Sequence, residues 1–359
     1  MKEIKIELQH IKKAVSKIGI ANIANKHSAI SNLLEINVFG FELHLKITDL
    51  DNFVDIKVPI KEKSSPDSEF NVFINQEQFC KLINRLNNNV ISIVADDNGL
   101  FIKSGNGNYD FELVEDEFNS WELVEGNDIK EVNKQDLLKI LTTAPSAVAG
   151  DAVIPILQHY FFGNSVYSSN RLKLCKIDIN LLDTEMIMSR SLFNMLSIFD
   201  GDNIRFSQTE EGLIFSSDDV IIRGLNVPSD DTYNTGVFDT LISKSLQNYI
   251  IIKKYDLLSV LDRMSIFVKE NDKGEILLDV SNNKLRVTNK IKKSVDYIDI
   301  SESSINDADF VMRLNIDYLS SLIKFLDVDT IRIEYDAQVG FIKIVIPKVV
   351  QLLSLIEGE

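Results

Sequence analysis

One arrangement occurs three times in this 359-residue chain, and no other feature constrains its fold so tightly. Between Asn75 and Gly105, "NQEQFCKLINRLNNNVISIVADDNGLFIKSG" sets Phe79, Leu82, Ile83 and Leu86 on one helical face. A polar turn, an alternating strand, an acidic turn with Gly99 and a second strand follow. The same order returns from Ser189 to Ser217 and from Asn315 to Val345. The hairpin glycines Gly99, Gly212 and Gly340 are spaced 113 and 128 residues apart. A second helix precedes each copy, at Leu8–Ile18, Asn133–Ala144 and Lys253–Phe267, and each leads into strand-like runs. Polar junctions lie around Glu125–Asn133 and Pro228–Gly236. The pattern predicts an α+β protein of three repeated domains, 1–125, 126–235 and 236–359, each with two helices packed on antiparallel sheet.

The charge is segregated by element. The chain carries a formal net charge of −16, which argues against a protein that coats nucleic acid with its general surface. Yet the helical windows hold thirteen Lys and Arg against seven Asp and Glu. The basic set includes Lys12, Lys13, Lys17, Lys81, Arg85, Lys134, Lys139, Arg190, Lys253, Lys254 and Arg263, with Arg313 and Lys324. Lysine and arginine are also good helix formers, which accounts for any one helix. Across all six, the bias suits a basic lining that tracks phosphates without reading bases, with acidic walls outside.

No catalytic constellation stands out. His10, His27, His44 and His159 lie in no metal or nucleophile motif. Asp49, Asp51 and Asp55 in "TDLDNFVD" lack the glycine and distal glutamate of a calcium loop, so they read as solvated turn acids. "SGNGNYDFEL" lies between strands and reads as a hairpin turn, not a phosphate cradle. Trp121 reads as a core or linker plug. Cys80 and Cys175 are far apart, which excludes a disulfide framework and fits a reducing cytoplasm. No apolar run reaches the roughly 18 residues of a membrane span. The expectation is a protein that is not an enzyme and has no metal and no cofactor.

The repeats, basic helices and acidic sheets together resemble the bacterial sliding clamp, the β subunit of the replicative DNA polymerase. Local matches run in order over essentially the full length. "LDRMSIF" (Leu261–Phe267) looks like the first helix of the clamp's third domain, and "PILQHYF" like the strand opening its second. "RLNIDYLSSLIKFL" resembles the F-N-x-x-Y-L helix, with Asn315, Tyr318 and Leu319 in place and Leu314 for Phe. "IKIVIPKVV" is similar to the family's closing Y-V-V-M-P-M-R-L.

The resemblance implies a homodimer joined head to tail into a ring of six domains, with duplex DNA passing through a hole lined by helices. Lys26 joins the basic residues above as DNA-facing. The implied partners are the replicative polymerase, the clamp loader and other replication proteins bearing a Q-L-x-L-F-type peptide. That peptide would enter a pocket made of Leu157, Arg171, Leu172, Val237, Phe238, Tyr318, Ile344, Ile346 and Pro347. The implied dimer seam adds strand Tyr109–Val114, with Phe111 and Leu113, edgewise to the third domain, with Ile266 and Phe267 as apolar plugs. The family's T-D-x-H-R-L reads "YSSNRL" here and its F-P-D-Y reads "VFDT", departures that suggest a divergent, viral or bacterial, clamp. A three-repeat adaptor that never encircles DNA is the rival.

The chain closes on "GFIKIVIPKVVQLLSLIEGE". Proline has no N–H for a central ladder, so Pro347 is expected to end an edge strand at the lip of the pocket. "QLLSLI" (Gln351–Ile356) looks like a partner peptide, and the expectation is that it folds back into the pocket.

Overall fold

The computed structural model describes residues 2–21, 30–66, 68–96, 99–115, 128–145, 155–210, 212–225, 235–268, 274–306 and 310–356. The first third runs β1 (Lys2–Glu7), α1 (Leu8–Ala21), β2 (Leu33–Phe39), β3 (Glu42–Thr48), β4 (Asn52–Pro59), β5 (Glu62–Lys63), β6 (Phe70–Asn75), α2 (Gln76–Arg85), β7 (Val90–Asp96), β8 (Gly99–Ser104) and β9 (Gly107–Phe111). The middle third runs β10 (Lys130–Asn133), α3 (Lys134–Thr143), β11 (His159–Phe162), β12 (Val166–Ser169), β13 (Lys173–Ile177), β14 (Met186–Ser189), α4 (Arg190–Met195), β15 (Asn203–Gln208), β16 (Gly212–Ser216) and β17 (Val220–Leu225). After a short helix α5 (Gly236–Ile242) come β18 (Asn248–Lys253), α6 (Lys254–Ser265), β19 (Glu275–Ser281), β20 (Lys284–Asn289), β21 (Val295–Asp299), β22 (Glu302–Ser304), β23 (Met312–Asn315), α7 (Ile316–Ile323), β24 (Thr330–Tyr335), β25 (Phe341–Ile346) and β26 (Val349–Ser354). Apart from the two- and three-residue strands β5 and β22, the order is the same in each third. All six anticipated helices form, and α5 is one the sequence pattern did not indicate.

Local chemistry repeats with the order. Asn75 and Asn315 cap α2 and α7 by accepting from the N–H of Gln78 and Tyr318. The first residue of each leading helix donates its N–H to the turn after the second helix: Leu8 to Asn89 O, Lys134 to Asp202 O and Lys254 to Asp329 O. Each helix pair is thereby closed at the same point.

Residues 1–135 with 191–227 form one compact unit, and 136–190 with 228–359 form another. The first unit holds a five-stranded sheet, β5-β1-β7-β8-β9, and an eight-stranded sheet, β10-β15-β16-β17-β4-β3-β2-β6. The second holds a nine-stranded sheet, β14-β11-β12-β13-β26-β25-β24-β18-β22, and a four-stranded sheet, β21-β20-β19-β23. Two antiparallel seams therefore join thirds of the chain. At the first, β4 pairs with β17, Asn52 lying opposite Gly224. At the second, β13 pairs with β26, Lys173 lying opposite Leu353. Apolar side chains from inward-facing strand positions and helix stripes fill both units, among them Ile4, Ile6, Ile11, Ile18 and Phe79 in the first and Leu257, Leu261, Leu314, Leu319 and Ile344 in the second.

Three expectations from the sequence fail in the structure. Pro347 does not end the sheet. Ile346 pairs with Val349, so Pro347 and Lys348 form a two-residue turn with Lys348 at φ 65°. That turn places proline where its missing N–H costs nothing and its fixed φ fits. "QLLSLI" does not fold back into a pocket either. It runs through β26, hydrogen-bonded on both edges in mid-sheet, with Gln351, Leu352 and Leu353 buried. Asp55 is likewise not a solvated turn acid: it is buried, 2.8 Å from His44 Nδ1. Asp49 instead closes its turn, accepting from the N–H groups of Asp51 and Asn52, and burial lifts its pKa above the usual carboxylate value. Trp121 lies outside the described residues.

Candidate functional site

At one end of the nine-stranded sheet, the β12–β13 turn meets the end of β26. Asn170 N–H bonds Lys173 O, and its Oδ1 accepts from Leu172 N and Lys173 N at 3.1 and 2.8 Å. This side-chain clamp holds Arg171 at φ 74° and leaves Arg171 and Leu172 exposed. Helix α5 lies on the sheet face shared by Phe161 and Tyr167. The Phe238 ring is 6.2 Å from each of theirs. Asp239 secures the helix, accepting from Tyr167 Oη at 2.8 Å and Lys176 Nζ at 3.0 Å. Val237 remains largely exposed. Leu157 approaches the same end, since Phe161 of the following strand pairs with Tyr167. Tyr318 approaches from the opposite face, its ring 5.2 Å from Lys173 Nζ.

Four of the nine expected pocket residues, Leu157, Arg171, Leu172 and Tyr318, thus gather about the β12–β13 turn; Phe238 and its neighbour Val237 lie farther along the strands, by the Tyr167–Lys176 pair, and the other three do not join them. Ile344 pairs with Gln351, on the face where Gln351 Nε2 and Cys175 Sγ bond Thr143 O, and it is core. Ile346 and Pro347 lie at the far end of β13, where Lys348 O accepts from Asp178 N, about 20 Å along the strand at ~3.3 Å per residue. The strand that reaches the lip is the next one, β26. The residues at the lip are Ser354, Leu355 and Ile356, whose N–H groups bond Leu172 O, Gly340 O and Arg313 O. The signal was available, because a third strand follows the hairpin in each of the first two repeats.

The basic residues divide sharply. Lys17 is 3% exposed and pairs with Asp200 and Asp219 at 2.8 and 2.7 Å, so it faces no ligand. Lys134 is also buried. It, Lys12 and Lys254 perform one task in their three repeats, donating to the carbonyl that ends the second helix: Phe199, Leu86 and Leu326, at 2.5, 2.6 and 2.5 Å. A cation there satisfies an orphan carbonyl and complements the helix dipole. Lys13, Lys81, Lys139 and Arg263 hold exposed ion pairs with Asp200, Glu77, Asp327 and Asp296. Such pairs are worth little and exchange readily for phosphate. Arg85 and Lys253 are exposed, Arg190 is half-buried, and Lys26 lies outside the described residues.

Two sheet edges matter as much as the side chains. Strand β9 ends the five-stranded sheet and β21 ends the four-stranded one. By repeat position β9 corresponds to β17 and β26, and β21 corresponds to β4 and β13. The two internal seams each join one strand of each kind, and the chain has one of each left over. Around β21, Ile266 is 78% and Phe267 53% exposed, next to exposed Ile291, Val295 and Tyr297. Tyr109 on β9 is exposed, Leu113 is half-buried, and Phe111 turns its ring inward against Phe79, 6.1 Å between rings, so its side chain belongs to the core and only its backbone faces the open edge.

By sequence, the chain matches no family model and no curated protein. By structure it is similar along its whole length to bacterial clamps. The DNA polymerase sliding clamp from Bacillus subtilis superposes with a TM-score of 0.86 at 15% identity, covering 100% of both chains. The DNA polymerase III beta subunit from Thermotoga maritima gives 0.83 at 14%, again over 100% of both. The putative DNA polymerase III beta subunit from Eubacterium rectale gives 0.87 at 15%, over 99% of each. The chain has the sliding-clamp fold.

Proposed function

We propose that this protein is a DNA polymerase processivity factor. Two copies close head to tail around duplex DNA and tether replication proteins by short peptides bound beside α5 and the β12–β13 turn. The observation that carries this is the pair of leftover edges, β9 and β21, which are of the two kinds that each internal seam already joins. A second copy completes the series, and with three domains per chain the ring has six. The whole-length likeness to proteins described as sliding clamps supports the same reading.

The mechanism needs no bond chemistry. Topology holds the ring on DNA, so each phosphate contact stays weak, sequence-blind and salt-sensitive. Arg85, Lys253 and the loosely paired Lys13, Lys81, Lys139 and Arg263 supply such contacts. A polymerase bound through its peptide is kept at high effective concentration near the primer end. Its setting would be the cytoplasm of a bacterial or virus-infected cell, where a clamp loader opens the ring. Loaded onto nicked circular DNA, the protein should stay bound in high salt and slide off once the circle is cut. Equal retention on circular and cut DNA would return the adaptor reading.

A further inference from the structure

We propose that Lys173 is a specificity-determining cation of the peptide groove, placed to take a carboxylate of the incoming peptide. The inference rests on the groove reading above. Lys173 is only 8% exposed. Its ammonium lies 5.2 Å from the centre of the Tyr318 ring and 3.3 Å from Ser321 Oγ, and it forms no ion pair among the described residues. Burial, then the nearby Arg190 charge, hold its pKa below the ordinary lysine value. A buried cation without an anion is costly, and a ligand carboxylate relieves that cost.

The first seam shows what is missing. Asn52 occupies there the position that Lys173 occupies at the second, each closing its turn and pairing across to the neighbouring repeat. The first seam has its own carboxylate in place. Asn52 Nδ2 donates to Asp49 Oδ1 and Oδ2 at 3.1 and 3.0 Å and to Ser191 Oγ at 3.1 Å. At the second seam the loop residue matching Asp49 is Asn170, whose Oδ1 is already used by backbone N–H groups. The anion is gone and a cation has been added. Lys173 adjoins the exposed Leu172 at the sheet end, and α5 with Val237 and Phe238 lies on the opposite sheet face about three residues, roughly 10 Å, along the strand. A peptide anchored by apolar side chains there crosses the strand end within a few residues to reach it.

The test uses the full chain and peptides of the form Q-L-x-L-F with one flanking residue at each end. A single Asp or Asn is stepped through each peptide, acetylated and amidated, and one neutral peptide keeps its free C-terminus. Fluorescence polarisation gives the affinities. The expected result is at least one carboxylate, side-chain or C-terminal, that improves binding about tenfold over its neutral counterpart. That gain should vanish in Lys173→Met and return in Lys173→Arg, while the neutral amidated peptide binds both proteins equally. The two carboxylate sources are told apart by which peptide shows the gain. If neutral peptides bind but no carboxylate helps, or if the gain survives Lys173→Met, Lys173 has only a structural role and the groove reading stands. If no peptide binds, both fall.

Discussion

Neighbouring lysines in this chain have different work, and Lys253 and Lys254 show it most plainly. Lys253 is exposed, whereas Lys254 ties the end of the second helix in its repeat, 2.5 Å from Leu326 O. Replacing Lys254 by Met removes a charged hydrogen bond, and urea unfolding should show a loss of about 1.5–3 kcal/mol. Lys253→Met should leave stability within about 0.5 kcal/mol and instead weaken retention on DNA, with a shallower salt dependence. Counting basic residues by helix could not separate the two roles. Helix periodicity says which face a residue occupies, but not whether a carbonyl from another helix ends within reach of its side chain. The cysteines are held inert by their surroundings. Burial pushes the Cys80 thiol up to about 11 and the Cys175 thiol up to about 12. At pH 8 about one Cys80 in a thousand is thiolate, and fewer still of Cys175. Iodoacetamide should label neither in the native protein within minutes, and both after denaturation.

At the scale of elements, the three helix–hairpin copies were readable because their periodicity is local. Which strand pairs with which across repeats is not local, so the seams are not legible in the sequence and the last strand reads there as a separate peptide-like segment. In the structure β9 and β17, like β26, close their repeats as third strands. The first seam also shows how its counterpart of the groove is closed. Gly224, opposite Asn52, lets Leu192 of α4 come so near that a Cβ there would lie 2.3 Å from Leu192 Cδ2. Gly224→Ala should therefore cost about 1–3 kcal/mol by overpacking. Combined with Leu192→Ala, the loss should be clearly less than additive in a double-mutant cycle. Simple additivity would mean that the glycine serves backbone freedom and not this contact.

For the whole molecule, the internal seams make a prediction about the proposed one between chains, down to its register. Asn52, Lys173 and Ser294 each close the turn before their seam strand, by bonds from Asp49, Asn170 and Asn289. Gly224, Leu353 and Phe111 hold matching places on the other side, opposite Leu213, Ile342 and Leu100 in their hairpins. Asn52 meets Gly224 and Lys173 meets Leu353, so Ser294 of one chain should meet Phe111 of another. Counting on in antiparallel sense sets Asn108 opposite Tyr297, as Ile221 faces Asp55 and Val350 faces Lys176. Directly opposed strand residues have Cα atoms about 4.5–5.5 Å apart, within the reach of a disulfide. Asn108→Cys combined with Tyr297→Cys should then give a covalent dimer under mild oxidation, visible on a non-reducing gel, and that dimer should keep its grip on a closed DNA circle. The native thiols do not confuse the result, since both are held neutral by burial. Asn108→Cys with Asp299→Cys, two residues out of register, should cross-link poorly. Efficient cross-linking of the second pair and not the first would mean that the chains meet through a seam unlike the two already inside each of them.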